Sequence, residues 1–153
     1  MKKNTYISNS IQLLANIGII AGIAFLVVEL NQNSDLVAAQ TRNEIAQSVI
    51  QNIQMGMDPR LVEAFLKTES NEPLTAEENF LMDQLVNATF RLWENTWYQS
   101  QEGLFDTDEI EADVVVWQES MREEAFANHW ASRRMTYSRE FREAIDGFVD
   151  SSN

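Results

Sequence analysis

Residues 7–30 form a long apolar run that is free of charge up to Glu29, and this run constrains the fold more than any other feature. No charged side chain occurs between Lys3 and Glu29. A helix needs roughly 20 mostly apolar residues to cross a bilayer, so the run is long enough to span one. Large residues follow it where a signal peptide would carry a small-x-small cleavage site, which favours an uncleaved anchor over a removed signal. A buried core helix is the third alternative, because amide side chains weaken the first half of the run.

One face of this predicted helix carries small residues. Ala15, Gly18 and Gly22 recur at three- and four-residue steps, and the Gly-x-x-x-Gly pattern lets two helix backbones approach closely in lipid. Glu29 continues the face at the membrane boundary, and two amide side chains lie one turn apart on a neighbouring face. Glycine is also common in membrane helices generally, which is the simpler interpretation. The predicted contact residues are Gln12, Ala15, Asn16, Gly18, Gly22 and Glu29.

Flanking charges predict the orientation of the span. Lys2 and Lys3 precede the apolar run, whereas the first basic residue after it is Arg42. Because positive residues favour the cytoplasmic side, the N-terminus is predicted in the cytoplasm and the rest of the chain on the other side. The opposite orientation stays open, since few charges decide it.

The rest of the chain is acidic and contains no cysteine. The formal net charge is −13, from 24 acidic and 11 basic residues among 153. This charge repels nucleic acid and anionic lipid head groups. The predicted partners are therefore the bilayer, through residues 7–30, and either another protein or a second copy of the chain, as a homo-oligomer. Without cysteine, disulfides, thiolate catalysis and cysteine-ligated zinc are excluded. The chain divides into a membrane anchor, 1–33, and an acidic helical domain, 34–153.

Helical periodicity continues through the acidic domain, and the whole chain has only five glycines and two prolines. Asp58 before Pro59 predicts one helix start, and Thr75 with Glu78 predicts a capping box at another. The predicted fold is all-α, with an N-terminal transmembrane helix followed by a small bundle of about four or five helices. The predicted helices of the domain are 35–57, 59–67, 76–101, a stretch from 106 to beyond 125, and 139–149.

Aromatic residues concentrate in the second half of the acidic domain. Trp93 and Trp97 lie one turn apart, and two further tryptophans follow at 117 and 130. In a small helical bundle such rings usually form the core, so core packing is the first interpretation and a ligand pocket the second. Arg91, Arg133 and Arg134 would border such a pocket. The residues predicted to form it are Arg91, Trp93, Trp97, Trp117, His129 and Trp130.

The sequence contains no recognisable catalytic or metal-binding constellation. The acidic run from Asp106 has Glu111 where a calcium loop needs glycine, so it is interpreted as the first turn of a helix. Di-iron and multi-histidine zinc sites are excluded because His129 is the only histidine. His129 itself is interpreted as a partly buried residue bonded locally rather than as a general base, since no nucleophile motif accompanies it. No catalytic residue, metal or cofactor is predicted, and the chain is not expected to be an enzyme.

Four short segments are distinctive. They are Phe25-Leu-Val-Val-Glu-Leu-Asn-Gln-Asn33, Glu94-Asn-Thr-Trp-Tyr-Gln-Ser-Gln-Glu-Gly103, Phe126-Ala-Asn-His-Trp130 and Tyr137-Ser-Arg-Glu-Phe141. In this combination the chain resembles a group of small bacterial membrane proteins that share an N-terminal span and an all-helical domain. The resemblance implies a bacterial source and a single-pass anchor. Together with the flanking charges, it predicts a location in the inner membrane, with the domain in the periplasm or, alternatively, in the cytoplasm. It implies no activity and no functional residue.

The expected function is interaction rather than chemistry. A membrane-anchored helical protein without a catalytic constellation suits a self-associating scaffold or an accessory subunit of a larger membrane complex. The alternative is a ligand-binding or sensory module that uses a tryptophan-lined pocket between helices.

Overall fold

The chain is helical throughout the part that the structure describes. The computed structural model describes the backbone of residues 2–105 and 107–151 and the side chains of residues 12–105 and 108–148. Within these ranges the prediction of an all-helical chain is confirmed, because no strand occurs. Asp106, predicted to begin a helix, lies outside the described residues. The elements are α1 (Lys2–Gly56), α2 (Pro59–Glu69), α3 (Ala76–Gln101), α4 (Thr107–Ser120), α5 (Glu124–Arg133), a 3₁₀ helix (Arg134–Thr136) and α6 (Arg139–Ser151).

The first helix is longer than predicted. α1 is continuous from Lys2 to Gly56, so the apolar helix and the helix predicted over 35–57 are one helix, which the polar residues 31–34 do not interrupt. The physical reason is local: no glycine or proline occurs between residues 23 and 55, and amide and serine residues lower helix propensity only slightly. The chain forms two compact units, residues 1–40 and 41–153. The predicted boundary at 33/34, placed where the apolar run ends, stays a prediction.

In the unit of residues 1–40, the described residues form a single helix, and its apolar side chains are exposed from Gln12 to Val37. Every described side chain from Gln12 to Val37 is exposed. By length and composition, α1 is the one helix among the described residues that is apolar enough to span a membrane. A core helix would be buried, so this exposure disagrees with the buried-helix alternative.

In the unit of residues 41–153, α2 begins where its capping residues predict. The Asp58 carboxylate accepts the main-chain N–H of Arg60 at 2.9 Å, and Pro59 occupies the first turn. Hydrogen bonds from the Arg60 guanidinium lower the pKa of Asp58 to about 2. Leu61 and Ala64 are buried, whereas Phe65 and Leu66 are 41% and 64% exposed. Only the side of α2 that faces α3 is covered.

Both ends of α3 follow local rules. Glu78 donates its main-chain N–H to the Thr75 hydroxyl, and the Glu78 carboxylate accepts the Thr75 N–H at 2.7 Å, which completes the predicted capping box. At the other end, Gly103 has φ +72°, a conformation that favours glycine. Gly103 and Leu104 donate their N–H groups to the carbonyls of Ser100 and Gln99, which is the Schellman pattern.

The stretch predicted as one helix from 106 to beyond 125 is two helices. α4 ends at Ser120 and α5 begins at Glu124. On one straight helix Trp117 and Trp130 would be about 20 Å apart along the axis. In the structure both rings lie against Phe141, at centroid distances of 6.2 and 6.0 Å. The chain must therefore turn between them, and the gain from burying both indoles explains the break.

α3 lies at the centre of the packing. One core cluster surrounds Phe90, which is fully buried, and a second joins α2 to the start of α3. The first contains Val86, Phe90, Trp93, Trp117, Trp130, Tyr137, Phe141 and Ile145, and the second contains Leu61, Ala64, Met82 and Leu85. The C-terminal part of α1 joins them through Asn52, which hydrogen-bonds Thr89 at 3.2 Å.

Candidate functional site

Three of the four tryptophans predicted to form a pocket lie in the aromatic core. Trp93 stacks on Trp117 with centroids 5.4 Å apart, and Trp130 stacks on Phe90 at 5.3 Å. These three indoles are 6%, 3% and 6% exposed. A ligand between them would have to displace packed side chains, so a tryptophan-lined box gains no support from this packing.

Trp97 and Arg91 lie at the margin of this core. Trp97 is half-buried against Phe148, and its indole N–H is buried without a hydrogen-bond partner in the described part of the chain. The Arg91 guanidinium lies 4.3 Å from the ring centroid of Tyr137 and donates to the Glu94 carboxylate at 2.7 Å. Arg91 therefore lies over the ring of Tyr137 instead of bordering an indole pocket.

His129, on α5, hydrogen-bonds to α3 and to the segment before α6, which corrects the prediction of local bonding. Its ring is 3% exposed and stacks on Phe90. Nδ1 lies 2.9 Å from Asp83 Oδ1 on α3, and Nε2 lies 2.9 Å from the Tyr137 hydroxyl. With the hydrogen on Nδ1, the ring donates to the carboxylate and accepts from the phenol.

Arg133 extends this chain of hydrogen bonds at its Asp83 end. The second oxygen of Asp83 accepts from Arg133 at 3.1 Å, and the Tyr137 hydroxyl lies 3.3 Å from the Asn87 side-chain oxygen. Burial raises the pKa of the Tyr137 phenol. The chain joins α3, α5 and the segment before α6, so its first consequence is to hold those elements together.

A cavity of about 590 Å³ lies beside this network. It is bordered by the connection between α2 and α3, by the first half of α3 and by the outer side of α5. Asp83 and His129 belong to its wall, but none of the four tryptophans does. The lining residues are Thr68, Asn71, Glu72, Pro73, Leu74, Asn79, Met82, Asp83, Val86, Glu124, Ala125, Asn128, His129 and Ser132.

The predicted contact face of the apolar helix is open. Ala15, Gly18 and Gly22 are exposed, and a methyl group added at either glycine would meet no atom within 4 Å beyond the backbone of its own helix. Gln12, Asn16 and Glu29 are exposed as well. A partner helix could therefore reach all six residues.

The residues that sequence reasoning missed are Asp83, Phe90 and Tyr137. Phe90 continues the buried row of α3 four residues after Val86, so its spacing was a usable signal. Asp83 and Tyr137 meet His129 across 46 and 8 residues. No local pattern predicts which carboxylate or phenol packs against a single histidine.

Comparisons with known proteins identify no relative. No protein-family model, curated protein or solved structure matches the chain significantly. The resemblance to bacterial single-span proteins therefore stays an interpretation of the sequence, and function has to be argued from the molecule's own chemistry.

Proposed function

We propose that this chain is a single-pass membrane protein whose acidic helical domain acts by binding other proteins, as a self-associating scaffold or an accessory subunit. The observation that carries the proposal is the exposed apolar surface of α1. Eleven large apolar side chains between residues 13 and 30 are each more than half exposed. They are Leu13, Leu14, Ile17, Ile19, Ile20, Ile23, Phe25, Leu26, Val27, Val28 and Leu30.

The energetic cost of this surface in water is large. Each such side chain forgoes about 1 kcal/mol or more when it remains hydrated. Together they amount to on the order of 10 kcal/mol, which is comparable to the whole stability of a typical domain. A bilayer removes this cost because hydrocarbon surrounds the helix on every side, and a continuous helix satisfies its own backbone hydrogen bonds there.

The distribution of charge supports a role for the acidic domain that is separate from membrane anchoring. The four charged residues of the first unit, Lys2, Lys3, Glu29 and Asp35, cancel. The whole net charge of −13 therefore belongs to residues 41–153, and no lysine or arginine occurs between Arg91 and Arg122. Such a surface favours a basic protein partner and disfavours anionic lipid head groups.

Membrane fractionation tests the anchor. The full chain, expressed in a bacterial host, should remain in the membrane pellet after alkaline carbonate and urea washes and should enter solution only with detergent. Release by carbonate alone would contradict a spanning helix.

Substitutions on the small-residue face test the interaction. Gly18→Ile with Gly22→Ile should lower the mass of the detergent-solubilised assembly or remove co-purifying chains, because bulky side chains keep helix backbones apart. The matched control, Ala21→Ile with Ala24→Ile, adds similar bulk on other faces. An unchanged mass and an unchanged set of co-purifying chains in the glycine variant would overturn the proposed contact.

The absence of cysteine makes orientation directly measurable. We propose a cytoplasmic N-terminus and a periplasmic domain in the bacterial inner membrane. Single-cysteine variants Asn4→Cys and Ala131→Cys carry one thiol each. A membrane-impermeant maleimide applied to spheroplasts should label Ala131→Cys and not Asn4→Cys, and the reverse pattern would establish the opposite orientation.

A further inference from the structure

The part of α1 that belongs to the unit of residues 41–153 has two apolar faces, and only one of them packs on the domain. On the packed face, Ile45 is buried, and the half-buried Asn52 hydrogen-bonds Thr89 of α3 at 3.2 Å. On the other face, Ile50 and Ile53 are 53% and 58% exposed. More than half of each isoleucine therefore remains open to a partner outside the chain.

The open face has the spacing of a coiled-coil seam. Alternating steps of three and four residues connect Leu36, Ala39, Asn43, Ala46, Ile50 and Ile53. All six side chains are exposed. Such steps are the a and d positions of a heptad repeat, whose side chains fit between those of a facing helix. Counted back along the sequence, the same alternation leads without a shift to Gly22, Gly18 and Ala15.

The contacts with the domain use other positions of this repeat. If Asn43 and Ile50 are a positions, Ile45 and Asn52 are both c positions, which point away from the partner helix in a coiled coil. A second helix on the seam would therefore leave the packing of α1 on α3 undisturbed. The acidic domain would lie on the outer side of the pair.

The distribution of charge lets two copies meet at this seam. The net charge of −13 makes two copies repel each other over most of the domain surface. Residues 41–57 are the exception, because their only charges, Arg42 and Glu44, cancel. Arg42 also forms an ion pair with Glu109 of its own chain. The e positions beside the seam hold the neutral residues Gln40, Gln47 and Gln54.

Asn43 favours a second copy over an unrelated apolar helix. An amide buried in an apolar seam is costly unless it finds a hydrogen-bond partner. In a parallel pair of identical helices, the two Asn43 side chains lie opposite each other, and the amide of one can donate to the oxygen of the other. A single asparagine at an a position also fixes the register of the two helices.

We propose that residues 36–56 of α1 form a parallel two-stranded coiled coil with a second copy of the chain. The inference rests on the proposed self-association in one membrane, which makes the two helices parallel, and it adds a contact outside the span. Burial of the apolar seam supplies the driving force. The seam residues are Leu36, Ala39, Asn43, Ala46, Ile50 and Ile53.

Single-cysteine variants map the seam directly, because the chain has no cysteine of its own. A disulfide requires two Cα atoms within about 7 Å, and in a parallel pair only a and d positions come that close. Oxidation of the full chain in its membranes with copper phenanthroline should give covalent dimers of Ala46→Cys, Ile50→Cys and Ile53→Cys. Glu44→Cys and Gln51→Cys, at exposed positions of the same helix, should give several-fold less dimer.

Charge placed in the seam should prevent the cross-link. In the Ala46→Cys chain, Ile50→Lys with Ile53→Lys should reduce the dimer to the yield of the control cysteines, because four ammonium groups would face each other across the pair. Val115→Lys with Val116→Lys is the matched control. It adds the same charge on α4 at positions that are 54% and 57% exposed, and should leave the dimer yield unchanged.

Several results would overturn the coiled coil. They are equal dimer yields from seam and control cysteines, a cross-linked product whose mass is not twice that of the chain, and an undiminished cross-link in the isoleucine-to-lysine variant. Carbonate washing of the same membranes tests the anchor separately. A chain that stays in the pellet without forming dimers would lose the coiled coil and keep the anchor. Tryptophan fluorescence checks that each variant retains its folded domain.

Discussion

The two units of this protein use helical periodicity in opposite ways. In the first unit, apolar residues surround the helix from 17 to 28 and remain exposed, whereas in residues 41–153 they occupy faces that pack on one another around Phe90. The first unit has no net charge and the second carries −13. A helix that is apolar all round suits hydrocarbon, and one that is apolar on one face suits a core in water. The difference indicates that each unit is matched to a different solvent.

The largest expected effect would come from placing charge in the apolar unit. Ile20→Lys with Ile23→Lys should release the chain from the membrane pellet, because each charge near the bilayer centre costs about 2.5–3.5 kcal/mol on insertion scales. The control Leu66→Lys adds charge at an apolar position of the domain that is 64% exposed and should remain in the pellet. If the double lysine variant still resisted carbonate extraction, the proposal that the first unit lies in hydrocarbon and the second in water would be wrong.

The next effect concerns the core of the acidic domain. Phe90→Ala should lower the free energy of unfolding by about 3–5 kcal/mol, because Phe90 is fully buried and contacts most of the aromatic cluster. Urea unfolding in non-ionic detergent, followed by tryptophan fluorescence, measures it. Phe80→Ala, at a 62% exposed position of the same helix, should change stability by less than about 0.5 kcal/mol. Similar losses in both variants would contradict the assigned core.

A smaller effect is expected at the Asp83–His129 contact. Asp83→Ala leaves the buried Nδ1–H of His129 without its acceptor and should cost about 1–3 kcal/mol. Asp83→Asn retains an oxygen acceptor and should cost less. The same urea unfolding measurement tests whether stability falls from wild type to Asp83→Asn to Asp83→Ala. Equal stability of wild type and Asp83→Ala would show that the hydrogen bond contributes nothing.

The smallest effect is expected at the capping box of α3. Thr75→Ala should cost about 1 kcal/mol. Hydrogen bonds from Lys67 and from the Thr75 backbone lower the pKa of Glu78 to about 2, from an ordinary value of 4.5. The unfolded chain then binds more protons below pH 4.5, so this stabilisation is complete above that pH and is lost as pH falls toward 2.

The pH dependence can be isolated with one substitution. The stability advantage of wild type over Glu78→Gln should be constant from neutral pH to the ordinary carboxyl range and should then shrink. Glu77→Gln, which changes an exposed neighbour, serves as the control. An advantage that grew on acidification would contradict the assigned direction.

Features that depend on neighbouring residues were predictable from the sequence. The starts of α2 and α3 and the glycine after α3 follow from Asp58, Thr75, Glu78 and Gly103, because each involves hydrogen bonds within a few residues. The division between α4 and α5 was not predictable in this way. It depends on Trp117 and Trp130 both reaching Phe141, which is a tertiary requirement.

The two candidate sites differ in the same way, because one was predictable from the sequence and the other depends on tertiary packing. The small-residue face of α1 was predictable from the sequence because helical spacing alone brings Ala15, Gly18 and Gly22 together. The cavity beside His129 was not, since lining residues such as Glu72 and Glu124 are distant in sequence and only packing brings them to one wall.

By itself, the sequence determined that this chain is helical, that residues 17–28 of one helix are apolar on all sides and that the remainder is acidic. These properties follow from composition and from interactions over one or two turns. Tertiary structure decided that three of the tryptophans fill a core, that His129 bridges Asp83 and Tyr137, and that a carboxylate-bordered cavity lies beside them. The reason is that these contacts join residues from different helices, and their energy exists only once those helices have packed.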